Sequence, residues 1–139
     1  MAKTFEELDV YKLSCEINKD IWTLRSSIKS ESPGTWHQLD RSAGSISDNI
    51  AEGFGRETRP DFKNFLRYSK GSAMEAQSQI NRCMDRELID ARTASTIIKK
   101  LRRVTVMITS FQRYLAQNRL KQEPLQNLIF HMVLKPNLF

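Results

Sequence analysis

Four apolar stripes at helical spacing constrain this chain more than any other feature. Val10, Leu13, Ile17, Ile21, Leu24 and Ile28 follow one another at steps of 3, 4, 4, 3 and 4, which lays them along one helix face. Leu39, Ala43, Ile46, Ile50 and Phe54 form a second stripe. Phe62, Phe65, Leu66, Ser69, Ala73, Ala76, Ile80, Cys83 and Met84 form a third, and Ala94, Ile97, Leu101, Val104, Ile108, Phe111 and Leu115 a fourth. Each stripe must find another to bury itself against, so the set predicts helices packed on helices.

The breaks between stripes carry helix start and stop chemistry. Asp9 suits the N-cap of a first helix running to Ile28, and "KSESPG" ends it because Pro33 and Gly34 interrupt helical pairing. Thr35, with Gln38 three residues on, has the form of a capping box for the second helix. That helix contains Gly44 and several serines, so its neighbours must hold it in place. Thr58 or Arg59 caps the third, with Pro60 in its first turn and Asp61 at the positive end of its dipole. Asp90 caps the fourth.

The last two helices, of about 26 to 29 residues, would each reach about 40 Å. Short connections make sequential neighbours antiparallel, so the predicted fold is all-α: an antiparallel up-down four-helix bundle over residues 1–121. A C-terminal tail follows at 122–139, apolar from Leu128 to Leu134 and interrupted by Pro124 and Pro136. It is expected to pack on the bundle or on a neighbouring subunit, because its apolar run is shorter than a membrane span. No membrane partner is expected, and the acidic N-terminal stretch "MAKTFEELDVYK" lacks the form of a signal peptide, which points to the cytoplasm.

Catalytic chemistry finds little to build on. A dinuclear metal bundle needs Glu-x-x-His pairs, and the chain has two histidines, His37 and His131, neither of them three residues after a glutamate. Neither stands in an obvious position to activate a serine. Cys15 and Cys83 have no CxxC spacing and sit within apolar patterns, as packed thiols would. "GFG" at 53–55 follows a helix, whereas the phosphate-binding glycine loops follow a strand, so Gly53 or Gly55 is expected to take a left-handed conformation that ends the helix. No enzyme activity, cofactor or metal is expected.

Charge is more informative. Residues 1–58 hold 7 basic and 10 acidic side chains and residues 91–139 hold 9 and 1, so the net +6 resides in the last third. Arg92, Lys99, Lys100, Arg102, Arg103, Arg113, Arg119 and Lys121 fall within 31 residues that contain no acid. At about 100° per residue Arg92, Lys99, Arg103 and Arg113 share roughly a third of the circumference, flanked by Lys100 and Arg102. Two roles fit: neutralising the phosphates of a structured RNA or DNA, or serving as a soluble face that pairs with acidic neighbours. The pattern lacks aromatic stacking platforms interleaved with these cations, so single-strand readout by stacking is not expected.

"SISDNIAEGFGR" at 45–56, "FKNFLRYSKGSAMEAQSQI" at 62–80 and the opening "FEELDVYKLS" resemble the bacterial four-helix-bundle family encoded within intervening sequences of 23S ribosomal RNA genes. The resemblance rests on Ser45, Ile46, Asn49, Ile50, Ala51, Glu52, Gly53, Gly55 and Arg56, then Phe62, Phe65, Leu66, Gly71, Ser72 and Glu75. Ser47 stands where the family pattern has proline, Asp48 where it has serine, and Ser69 where it has alanine. The resemblance implies a bundle assembling as a homo-oligomer, a pentamer in known members. It implies nucleic-acid binding or, alternatively, a protein-interaction scaffold such as an accessory subunit of a nucleic-acid-processing enzyme. Arg41, Glu52 and Glu75 are expected to form a partly buried network between the second and third helices, and Gly71 with Ser72 a close-packing notch.

Overall fold

A computed structural model of the chain describes residues 4–117. It is all-α: a 3-10 turn at Phe5–Glu7 precedes α1 (Asp9–Trp22), α2 (Arg25–Glu31), α3 (Pro33–Phe54), α4 (Arg59–Asp85) and α5 (Ala91–Ala116). Packing runs from α3 to α4, α4 to α5, α5 to α1 and α1 to α3, so these four helices neighbour one another in a closed cycle, with α2 lying on α3. The predicted stripes face inward, and Ile17, Leu39, Ile46, Ile50, Phe62, Leu66, Ile80, Leu101 and Ile108 share one core. The tail at 122–139 lies outside the described residues.

The first predicted helix is two helices. Thr23 Oγ1 donates to the Asp20 carbonyl at 2.6 Å, and the Leu24 N–H bonds back three residues to Ile21, tightening the turn where α1 ends. Leu24 and Ile28 remain buried beyond the break, so the apolar stripe continues while the backbone does not. Leu8, rather than Asp9, occupies the N-cap of α1.

Helix starts follow local chemistry elsewhere. Ser32, not Thr35, occupies the N-cap of α3, which begins at Pro33; Thr35 is buried in the first turn, where its Oγ1 accepts from Ser32 Oγ at 2.8 Å. Thr58 caps α4 by accepting the Asp61 N–H, and Asp90 caps α5 by accepting the Thr93 N–H at 2.7 Å. That bond and the Thr93 hydroxyl stabilise the Asp90 carboxylate and lower its pKa. The two cysteines are free thiols; Cys83 is buried, and desolvation pushes its pKa up.

The glycines depart from expectation. Among the described residues no glycine has positive φ, and Gly55 ends α3 with right-handed dihedrals. Gly53 is there for space: a Cβ on it would sit 2.6 Å from Phe62 Cδ2 and 2.8 Å from Phe65 Cβ, so only glycine lets α4 lie this close. Gly71 is no notch, since it is exposed and a Cβ there would meet nothing within 4 Å. The left-handed cap belongs to Glu87, at φ 58°, where the Leu88 N–H bonds to the Cys83 carbonyl and the Glu87 N–H to the Met84 carbonyl. These two bonds make a Schellman motif that carries glutamate where glycine is usual.

Three substitutions separate these roles in urea titrations. Gly53→Ala should lower stability by about 1–3 kcal/mol through overpacking. Gly71→Ala should raise it by about 0.5–1 kcal/mol, the helix-propensity difference. Glu87→Gly should also raise it by about 0.5–1 kcal/mol, by relieving the left-handed penalty. Because the folded-state pKa of Asp90 is depressed, its contribution is present above the ordinary carboxylate value of about 3.9 and is lost as pH falls through the folded value. Asp90→Asn keeps the cap, so thermal melts taken across acid pH should show a shallower loss of stability than wild type.

Candidate nucleic-acid interface

Asp90 fixes where α5 starts, and the buried stripe from Ala94 to Leu115 fixes which side faces the core. The opposite side presents Arg92, Lys99, Arg102, Arg103 and Arg113, all exposed. None of these five forms an ion pair with a described residue. Val106, 65% exposed, lies among them, whereas the aromatic rings of α5, Phe111 and Tyr114, are buried. The surface is therefore cationic and free of stacking rings.

Lys100 departs from that group. Its Nζ donates to Asp20 Oδ2 at 2.7 Å and lies 3.7 Å from Glu16 Oε2, joining α5 to α1. The Asp20 hydrogen bond holds the Lys100 pKa above the ordinary lysine value, against a smaller opposing desolvation. Lys100 is thus already neutralised, and it belongs to the helix contact rather than to the open face. Arg119 and Lys121 lie outside the described residues.

The 45–56 and 62–80 segments form the α3–α4 joint. Ser72 Oγ donates to Ser45 Oγ at 2.9 Å, and Asn49 Nδ2 donates to the Ser45 carbonyl and hydroxyl at 2.8 and 2.9 Å. Arg41 and Glu75 do bridge α3 and α4, but at 3.6 Å and with both side chains substantially exposed. Glu52 pairs instead with Arg56 at 2.6 Å, one turn along, also in solvent. The expected buried charge network is absent among these residues because neutral groups fill its place: Ser42 Oγ donates to Gln79 Oε1 at 2.6 Å, and Ser69 Oγ to the Ile46 carbonyl at 2.8 Å. Both bonds are buried, where a charged pair would carry a heavy desolvation cost.

A second surface, which periodicity does not signal, lies at the start of α4. The Arg56 guanidinium sits over the Phe65 ring at 4.7 Å and that of Arg67 over Tyr68 at 5.4 Å, while the two rings meet edge to face at 5.7 Å. The signal available in the sequence was the aromatic and basic content of "GRETRPDFKNFLRYSK", which the helical stripe analysis divides between core and solvent.

Among the described residues no group of three or more His, Cys, Asp or Glu side chains could hold a metal ion, and no helix is long and apolar enough to cross a membrane. A comparison with curated protein sequences finds no match. One solved structure, a protein of unknown function from the S23 ribosomal protein family of Bacteroides thetaiotaomicron, shares the fold with a TM-score of 0.70 and 24% identity, covering 75% of this chain and 98% of that one. Residues 6–110 match the family described as 23S rRNA-intervening sequence protein, and the chain belongs to that family.

Proposed function

We propose that this chain is a non-enzymatic, cytoplasmic helical protein that assembles as a homo-oligomer and binds structured RNA or DNA through α5. The carrying observation is the acid-free outer face, on which Arg92, Lys99, Arg102, Arg103 and Arg113 are exposed and have no ion-pair partner among the described residues. Surface cations usually alternate with acids along a solvated helix, and an uncompensated row attracts phosphate by releasing condensed counterions. The family's placement in 23S rRNA intervening sequences is in keeping with a nucleic-acid ligand.

We read the architecture as an antiparallel up-down four-helix bundle with α1 and α2 as one broken rod. The pairs Ser42–Gln79, Ser45–Ser72, Ile46–Ser69 and Gly53–Phe62 support this, since the α4 number falls as the α3 number rises. Gln112 reaching the Lys63 carbonyl at 3.3 Å supports the same sense for α4 and α5. The non-enzymatic reading is supported by the use of the Ser42, Ser69 and Ser72 hydroxyls in helix contacts. A protein-interaction scaffold is the second reading. Its support is Trp22, 57% exposed at the α1–α2 joint beside Arg25, a composition common at protein interfaces.

Replacing Arg92, Lys99, Arg103 and Arg113 together by Ala should leave the fold intact and weaken binding to hairpin and duplex probes in gel shifts. It should also flatten the plot of log affinity against log salt by about 0.7–0.9 for each phosphate that the face no longer neutralises. Lys100→Gln should lower the melting temperature and leave that slope nearly unchanged. Wild-type protein that shows no binding at low salt would sink the nucleic-acid reading, and a protein partner retained after nuclease treatment would favour the scaffold.

A further inference from the structure

We infer that the start of α4 carries a stacking site for an unpaired nucleobase, built on Tyr68 and served by Arg56 and Arg67. This extends, and rests on, the proposed binding of nucleic acid by α5, which offers charge but no exposed ring. Tyr68 is 47% exposed although it is a large aromatic residue on a helix with a well-formed core face. Its ring is held rather than loose: Asn64 Nδ2 donates to the Tyr68 hydroxyl at 3.2 Å, Arg67 donates to Asn64 Oδ1 at 2.8 Å, and Phe65 supports the ring edge to face. Phe65 is itself anchored, because its Cβ lies in the space that Gly53 leaves open. A rigid ring with an open surface loses little entropy when a flat ligand covers it.

The charge around the ring selects the ligand. From 63 to 71 α4 holds three basic residues, Lys63, Arg67 and Lys70, and no acid, while Arg59 before them is buried. Arg56 joins them from the end of α3, held over Phe65 with Glu52 as its partner. The hydrogen bond from Gln112 to the Lys63 carbonyl sets this half of α4 beside the end of α5 that bears Arg113. An aromatic platform flanked by guanidiniums suits a base whose neighbouring phosphates meet the arginines, the combination by which sequence-tolerant proteins hold single strands. Unpaired bases in loops, bulges or ends present the needed face, and paired bases in a duplex do not.

Fluorescence anisotropy with two labelled probes tests the site: a blunt duplex, and the same duplex carrying an unpaired loop, each made as RNA and as DNA. Tyr68→Ala should weaken binding of the looped probe roughly tenfold or more, the effect of removing one base–ring stack, and leave the blunt duplex unchanged. Tyr68→Phe, which keeps the ring, should restore looped binding, and both variants should stay folded with only a small drop in melting temperature, because the half-exposed ring's contacts to Asn64 and Phe65 lie at the surface of its own helix. Equal weakening on both probes, no weakening on either, or a Tyr68→Ala variant whose assembly mass changes would each overturn the site, the last by assigning Tyr68 to a subunit contact. The α5 quadruple variant separates the two ideas. If it loses the duplex while Tyr68→Ala loses nothing, the α5 reading stands and this site fails; if it loses nothing while Tyr68→Ala loses the looped probe, this site stands and the α5 reading fails.

Discussion

The close approach of α4 to α3 at Gly53 is the contact on which the rest of the described structure depends. With no Cβ at that position, Phe62 drops into the core against Phe111 of α5, with ring centroids 4.9 Å apart, and Phe54 packs on its other flank. Phe62, on α4, therefore touches both α3 and α5 through one side chain. Farther along the same interface, two buried hydroxyl bonds, Ser42 to Gln79 and Ser69 to the Ile46 carbonyl, are satisfied only in one register. A slip of one residue would break both bonds; Ser42 would keep its bond to the Leu39 carbonyl, but the buried Gln79 Oε1 would lose its donor, at about 1–3 kcal/mol. Apolar stripes alone tolerate sliding; the glycine and the hydroxyls do not.

The same joint positions what faces solvent. Once α3 ends with Gly53 against Phe65, Arg56 emerges within reach of the Phe65 ring, and its pairing with Glu52 keeps it there. The segment that marks the family is thus a packing device whose outer edge carries a cation. Asn49 is turned inward on its own helix, bonded to Ser45, which in turn accepts from Ser72 of α4. These bonds tie three of the family-marking positions into one seam, and none of them offers a reactive group to a substrate.

Much of the all-α fold was legible because a stripe of period 3.6 leaves few alternatives, and the cap at Asp90 because its chemistry is local. What escaped has physical reasons. The α1–α2 break contains no proline or glycine and arises from Thr23 bonding its own preceding turn, while the apolar spacing continues through it. The role of Gly53 could not be told from that of a helix-ending glycine, since a close approach depends on which ring lies opposite. Lys100 has the same charge as its neighbours and differs only in facing Asp20 and Glu16, eighty and more residues away in sequence. The arginine–aromatic cluster mixes positions that periodicity assigns to core and to solvent, and only the fold brings Arg56 onto Phe65.

Magnitudes bear on how such a surface would function. From Arg92 to Arg113 the outer face of α5 spans about 30 Å at 1.5 Å per residue, close to one turn of a duplex. Five cations on that length meet at most a few phosphates of a curved backbone. A single chain would then have the weak affinity of non-specific charge contacts, with a modest salt slope. Two additions raise affinity without more charge on α5. Copies of the face in one assembly make later contacts intramolecular, so modest sites multiply. A base stacked on a held ring adds a term that salt screens far less than a phosphate contact, because its attraction is dispersion and burial rather than counterion release. The balance between the two is visible in salt alone: avidity from repeated α5 faces steepens the dependence as it strengthens binding, whereas stacking strengthens binding and leaves the slope where it was.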